Sequence, residues 1–245
     1  MLQRAAFLIL LCCCCLKLNS TDQLWYARVA DARDAKDALL RALFQKKGLA
    51  YPPQNLYLRV FKGESVLEVW ASDNSTLPFT LVKSYPVCAM SGQLGPKRRE
   101  GDEQVPEGFY HISSLNPFSA YHLSMEVSYP NASDRQLSTN SRLGGNIYIH
   151  GNCKSIGCIA ITDPYIEEVY WLVAQARANG QVKIPVHLFP ARMSDLKFNI
   201  LQHLYRNKPT LLQFWSSLKQ GYDYFQYYHR VPAVGIDQNG YYFLQ

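Results

Sequence analysis

The sequence predicts an α+β fold: a β-rich middle between a helical N-terminal segment and a helical C-terminal extension. Three patterns carry that prediction. Apolar and polar residues alternate in short runs through much of 56–161, the period of half-buried strands. Apolar residues recur at helical spacing before residue 50 and again after Pro190. Residues 162–178 combine an acidic start, a proline in the first turn and one apolar face, as a helix with one buried side does. The chain has 245 residues, 48% hydrophobic and 13% aromatic, enough for a sizeable core and too apolar for a disordered chain. The formal charge of +6 is scattered apart from Lys97-Arg98-Arg99, and no helix carries a basic stripe. That charge suits a polyanionic surface such as a cell wall or phospholipid and leaves no nucleic-acid footprint.

The elements follow in order. Residues 1–20 read as an export signal. Arg4 gives a positive start, and 5–16 is an unbroken apolar run of 12 residues, short of the ~20 that a membrane span needs. Cleavage is expected near Asn19-Ser20, and the leucines before Cys12 fit a lipidation site poorly. Residues 21–54 form the N-terminal helical segment, in which Leu39, Leu40, Leu43 and Phe44 make a stripe that Gly48 and Pro52-Pro53 stop. Residues 55–190 form the main domain. Its runs 56–61 and 66–70 alternate around a turn at 62–65, a hairpin, and 79–85, 108–112, 121–127 and 146–150 are further strands. Residues 92–108, rich in Gly, Pro and charge, read as a long loop. The helix at 162–178 has Asp163 as its expected cap and buries Ile166, Val169, Tyr170 and Val173; Asn179-Gly180 ends it. Residues 182–188 form a strand, expected at a sheet edge because Pro185 lacks an N–H. The extension at 191–245 holds helices at 196–205 and 211–219, then two short strands around Asp237-Gln-Asn-Gly240. Its Trp215, Tyr222, Tyr224 and Phe225 read as packing against the main domain; a strip for glycan stacking is the other reading.

The chemistry concentrates in His150-Gly-Asn-Cys-Lys-Ser-Ile-Gly-Cys158. A thiol with a pKa of ~8.5 needs a base to become a nucleophile, and His150, at a strand end, is the candidate base. Gly151 lets the chain turn after it, Gly157 admits a substrate to the backbone, and the N–H groups of Gly157 and Cys158 are the candidate oxyanion hole. Ser155 is placed to hydrogen-bond within the loop. Without residues 1–20 the cysteines are Cys88, Cys153 and Cys158, an odd number. The simplest arrangement in an exported protein is a Cys88–Cys153 bridge with Cys158 reduced. A Cys153–Cys158 bridge and an unpaired Cys88 stay open. His150, Cys153 and Cys158 also space like zinc ligands, but no fourth ligand is evident at matching spacing.

His150-Gly151 followed by Ser155-Ile-Gly157-Cys158-Ile159 resembles the signature of the L,D-transpeptidase (YkuD-type) catalytic family: a His, a spacer, then Ser-x-Gly-Cys and an apolar residue. Outside the motif the chain is similar to the murein L,D-transpeptidase (YafK-like) subgroup, at 85–97, 101–110, 116–124, 129–134, 157–163 and 214–223. The resemblance implies a β-rich, sandwich-like catalytic domain facing the periplasm or wall, without metal or organic cofactor. It implies that Cys158 forms a thioester with a peptidoglycan stem peptide, with His150 as base and then acid. Transfer to an amine is the main expectation and hydrolysis of wall links the alternative, as is a non-catalytic wall binder. A wall-anchored lipoprotein is the further partner expected, no nucleic acid is, and the chain is expected to be a monomer. Ser155, Gly151, His122 and Lys97 are the candidate substrate contacts. His122 lies on the expected strand at 121–127 and faces either substrate or core. Lys97 lies in the long loop, where it either meets stem-peptide carboxylates or is solvated. Two features depart from the wider family: the spacer before the serine is short, and Ala160 stands where an Arg is usual.

Overall fold

The computed structural model describes residues 22–245. The expected signal at 1–20, with its four cysteines at 12–15, lies outside the described residues. A 3-10 turn, Asp22–Trp25, leads into α1 (Ala27–Lys46). Then come β1 (Asn55–Phe61), β2 (Val66–Ser72), β3 (Thr80–Pro86), β4 (Gly108–Asn116), β5 (Ser124–Val127), α2 (Ala132–Leu137), β6 (Tyr148–His150) and β7 (Ile159–Ala160). α3 (Asp163–Ala178), β8 (Ile184–Phe189), α4 (Asp195–Leu204), α5 (Pro209–Tyr228) and a hairpin of β9 (Val234–Ile236) and β10 (Tyr242–Leu244) complete the chain. The class is α+β, with helices at both ends. One mixed sheet holds eight strands in the order β3-β2-β1-β8-β4-β5-β6-β7.

Each face of this sheet has its own cover. One face buries Leu56, Leu58, Val60, Val186, Leu188, Ile149 and Ile159 with the apolar sides of α1 and α3. The alternate residues of the central strands, Phe61, Phe109 and Phe189, pack beneath α4, α5 and β10, around Phe214, Trp215, Leu218 and Tyr222. β1 is therefore buried on both sides although its sequence alternates. Its Arg59 is fully buried under α5, with the rings of Phe61, Tyr222 and Phe225 about its guanidinium at 4.8, 5.0 and 4.8 Å. The second cover is confined to the central strands, and Ser124, Glu126, Tyr148, His150 and Cys158 share the corresponding face of β5, β6 and the approach to β7.

Several expectations change in the fold. The strand containing Pro185 is interior, between β1 and β4. It accommodates proline because pairing to β1 starts only at Val186, so no ladder partner on that side needs the missing N–H. Leu39 is exposed, about 100° around α1 from the buried Leu40. Asp163 does not cap α3; Thr162 precedes the helix, and the Asp163 carboxylate accepts the Asn152 N–H at 2.6 Å instead. α5 runs on past residue 219 because Gly221 is no breaker there: a Cβ at that position would lie 2.6 Å from the Phe109 ring, so the glycine marks close helix–sheet contact. His122 is in a turn with φ 68°, before β5 begins. Trp215, Tyr222 and Phe225 are buried, which removes them as a glycan-stacking strip.

Candidate active site

The site follows from one register. β6 and β7 are consecutive and parallel, with Ile149 opposite Ile159 and His150 opposite Ala160. To pair in parallel, the chain must travel back past the start of β6, so the loop 151–158 returns Cys158 to the level of Tyr148. Ile149 and Ile159 point into the core, so Tyr148, His150 and Cys158 share the other face. His150 and Cys158 are diagonal neighbours there, a relation that puts backbones about 7–8 Å apart.

His150 is buried. Its Nδ1 lies 2.5 Å from the Gly151 carbonyl oxygen. A carbonyl only accepts, so Nδ1 carries the proton and Nε2 is left as the basic nitrogen. Tyr121 stacks on the ring, centroids 4.7 Å apart and planes 30° off parallel. Burial pushes the imidazole below its ordinary range, and the bond to Gly151 opposes that. Gly151 is required by space rather than by a left-handed turn: a Cβ there would meet Asp163 Oδ1 at 2.5 Å, the Tyr121 carbonyl oxygen at 2.8 Å and Ile166 at 3.0 Å.

Cys158 is the free thiol among the described residues, and Cys88 is bridged to Cys153, with Cα atoms 5.6 Å apart. The thiol reaches the Asn146 carbonyl at 3.6 Å. Burial pushes it up, while the Tyr148 backbone N–H and the charge of Lys97 pull it down. Beside it opens a cavity of about 280 Å³ lined by Lys97, Glu103, Asn146, Ile147 and Ile156 among others. A larger one of about 430 Å³ lies against α5, near Leu211 and Phe214; neither lining includes Cys158 or His150, but Asn146, whose carbonyl the thiol reaches, lines the smaller one.

The other candidate residues are committed to the protein. The Ser155 hydroxyl donates to the Cys158 carbonyl at 2.7 Å, holding the loop closed. The Gly157 N–H donates to Ser91 Oγ at 2.6 Å, so this candidate oxyanion donor already has an acceptor, and Gly157 itself has φ 114°. His122 Nε2 is 2.9 Å from Glu167 of α3, away from the sheet face that carries Cys158. Lys97 is buried, not solvated: its Nζ donates to Asp102 at 2.5 Å and to the Arg99 carbonyl at 2.8 Å. Its loop is held by a buried pair, Lys62 and Glu107, 3.1 Å apart. Lys62 also donates to the carbonyls of Gly95 and Val105, and Glu107 accepts from Gly95 and from Trp215 Nε1. Ser91, Asn146 and Tyr121 were not predicted. They lie 12 to 67 residues before Cys158, and only the register of the sheet brings them in.

The model of the L,D-transpeptidase catalytic domain (YkuD) matches residues 56–187. The chain belongs to that family. It is 38% identical over 183 residues to YafK of Escherichia coli (strain K12), a protein named as a candidate L,D-transpeptidase; the match covers 74% of this chain and 70% of that protein. Among solved structures, the helical cell shape determining protein Pgp2 of Campylobacter jejuni is 18% identical over 81% of this chain and 80% of its own, with a TM-score of 0.43. L,D-transpeptidase 1 of Mycobacterium tuberculosis is 14% identical over 55% of this chain and 61% of its own, with a TM-score of 0.30. The family match and YafK, rather than these distant structures, carry the assignment. Membership in this family supports a peptidoglycan-modifying activity. Ala160, where the family usually has Arg, has its backbone paired with Ala89 in a β-bridge and its side chain fully buried.

Proposed function

We propose that the protein is an exported acyl-transferase acting on peptidoglycan stem peptides through a Cys158 thioester. The observation that carries this reading is the shared sheet face of Cys158 and a buried His150 whose Nδ1–H is held by Gly151. Burial favours neutral thiol and neutral imidazole, so the proton moves as the substrate arrives. Nε2 of His150 takes it from Cys158, and the sulfur attacks a stem-peptide carbonyl carbon. The tetrahedral oxyanion takes the Gly157 N–H from Ser91, and its collapse expels the amine, which receives the proton from His150. An acceptor amine then attacks the thioester, gives its proton to His150 and forms the new amide, and the thiolate leaving group recovers that proton. Lys97 borders the neighbouring cavity with its ammonium held by Asp102, so it acts on the site through its charge on the Cys158 thiol rather than by meeting a stem-peptide carboxylate. Water in the acceptor's place gives hydrolysis by the same steps. Among the described residues no helix is long and apolar enough to cross a membrane.

The test is incubation of isolated sacculi with wild type and Cys158→Ala, with fragments identified by mass. Fragments joined to a new amine are expected with wild type, and loss of at least a thousandfold in rate with the variant. Turnover that survives Cys158→Ala overturns the assignment, as does a covalent carbapenem adduct found at Cys153.

A further inference from the structure

We propose that the turn after β4 and the start of α1 form a glycan platform leading into the active site. The inference rests on the proposed action on peptidoglycan and adds the part of the polymer that is recognised. Trp25 and Phe118 are 80% and 72% exposed, and Tyr121 is 40% exposed while stacked on His150. Tyr26, beside Trp25 in sequence, meets the Phe118 ring edge-on at 4.9 Å. Large rings left in water at this density mark a binding surface rather than ordinary surface apolarity.

The turn is rigidly mounted. Arg28 of α1 donates to the Ser119 carbonyl at 2.9 Å and also to that of His122. The Phe118 N–H donates to Asn116 Oδ1 at 2.9 Å, and the Tyr121 N–H to Ser119 Oγ at 3.1 Å. The charges around the row are engaged internally: Arg28 on those carbonyls, and Glu167 by both His122 and Lys36. The row therefore offers π faces without a free cation among these groups, which suits an uncharged ligand with flat C–H faces and suits an anionic lipid surface poorly. A polymer of N-acetylated hexoses has that chemistry. Its path along Trp25, Phe118 and Tyr121 ends at the imidazole, where an attached stem peptide meets Cys158.

The experiment measures binding of the full chain to peptidoglycan glycan strands stripped of their stem peptides, by calorimetry or co-sedimentation. Phe118→Leu keeps apolar bulk but removes the ring, and is expected to weaken binding about fivefold to tenfold; Phe118→Trp is expected to retain it. Trp25→Leu is expected to act like Phe118→Leu. Equal binding by wild type and Phe118→Leu overturns the platform, as does the absence of binding, or binding to phosphatidylglycerol vesicles in place of glycan. Unfolding midpoints of the variants separate lost rings from lost fold. Cys158 takes no part in this assay, so its failure leaves the thioester reading standing, and failure of the turnover test leaves the platform standing.

Discussion

Removing the Cys88–Cys153 bridge is expected to destabilise the domain by about 4 kcal/mol. The two residues are 65 apart in sequence. Closing a loop of that length in the unfolded chain removes about 14–15 cal/mol/K of entropy, worth ~4.3 kcal/mol at 25 °C. The native side gives little back, because the segment after β3 is pinned to the site without the bridge. The Cys88 N–H donates to the Ala160 carbonyl at 2.9 Å, and the Ala160 N–H to the Ala89 carbonyl at 3.0 Å. The assay is urea unfolding of wild type and of the Cys88→Ser, Cys153→Ser double variant, followed by circular dichroism. With a slope of about 2–3 kcal/mol/M, the midpoint should fall by roughly 1.5–2 M, and the slope should rise slightly as the unfolded chain expands. A shift below about 0.5 M refutes the loop-entropy reasoning, and three titratable thiols in the unfolded oxidised chain, once residues 1–20 are absent, refute the bridge itself.

Two further predictions concern protonation. Because burial raises the Cys158 thiol and lowers His150, the resting pair is neutral; iodoacetamide should label Cys158 about tenfold faster for each pH unit between 7 and 8, whereas a rate flat over that range would mean a preformed thiolate–imidazolium pair. His187 is fully buried against Tyr57, and burial holds its pKa at about 3. The unfolded chain binds that proton from about pH 6.5 downward while the folded chain refuses it, so stability falls with pH, from full value above 6.5 to its lowest near 3. At pH 5 the loss from this one residue is about 2 kcal/mol, read as the difference in acid slope between wild type and His187→Gln; equal slopes would show that His187 is protonated in the fold.

Much of the architecture could be read from the chain because its signals are local. The hairpin of β1 and β2, the apolar face of α3 and the turn at Asp237–Gly240 each lie within a few residues of sequence. So do His150 and Cys158, which one short loop carries to one sheet face. What could not be read depends on distant partners. Pro185 looked like an edge residue because nothing local says that β1 begins pairing one residue later. The helix at 211–219 reads too short in the sequence because the close fit of Gly221 against the Phe109 ring, which lets α5 run on, is invisible locally. Asp163 looked like a cap because its partner, Asn152, is chosen by the return of the loop. Lys97 reads in the sequence as either a substrate contact or solvated, and it is buried, because burial comes from folding of the whole 93–107 loop around Lys62 and Glu107.

Under the proposed mechanism, the contact between the Gly157 N–H and Ser91 Oγ describes the site at rest. In that mechanism the serine oxygen holds the place a peptide oxygen would take, and keeps the amide directed into the site. An arriving substrate then trades one oxygen for another and need not strip water from a bare donor. A hydroxyl turns about a single Cα–Cβ bond, so that exchange would need no movement of the sheet.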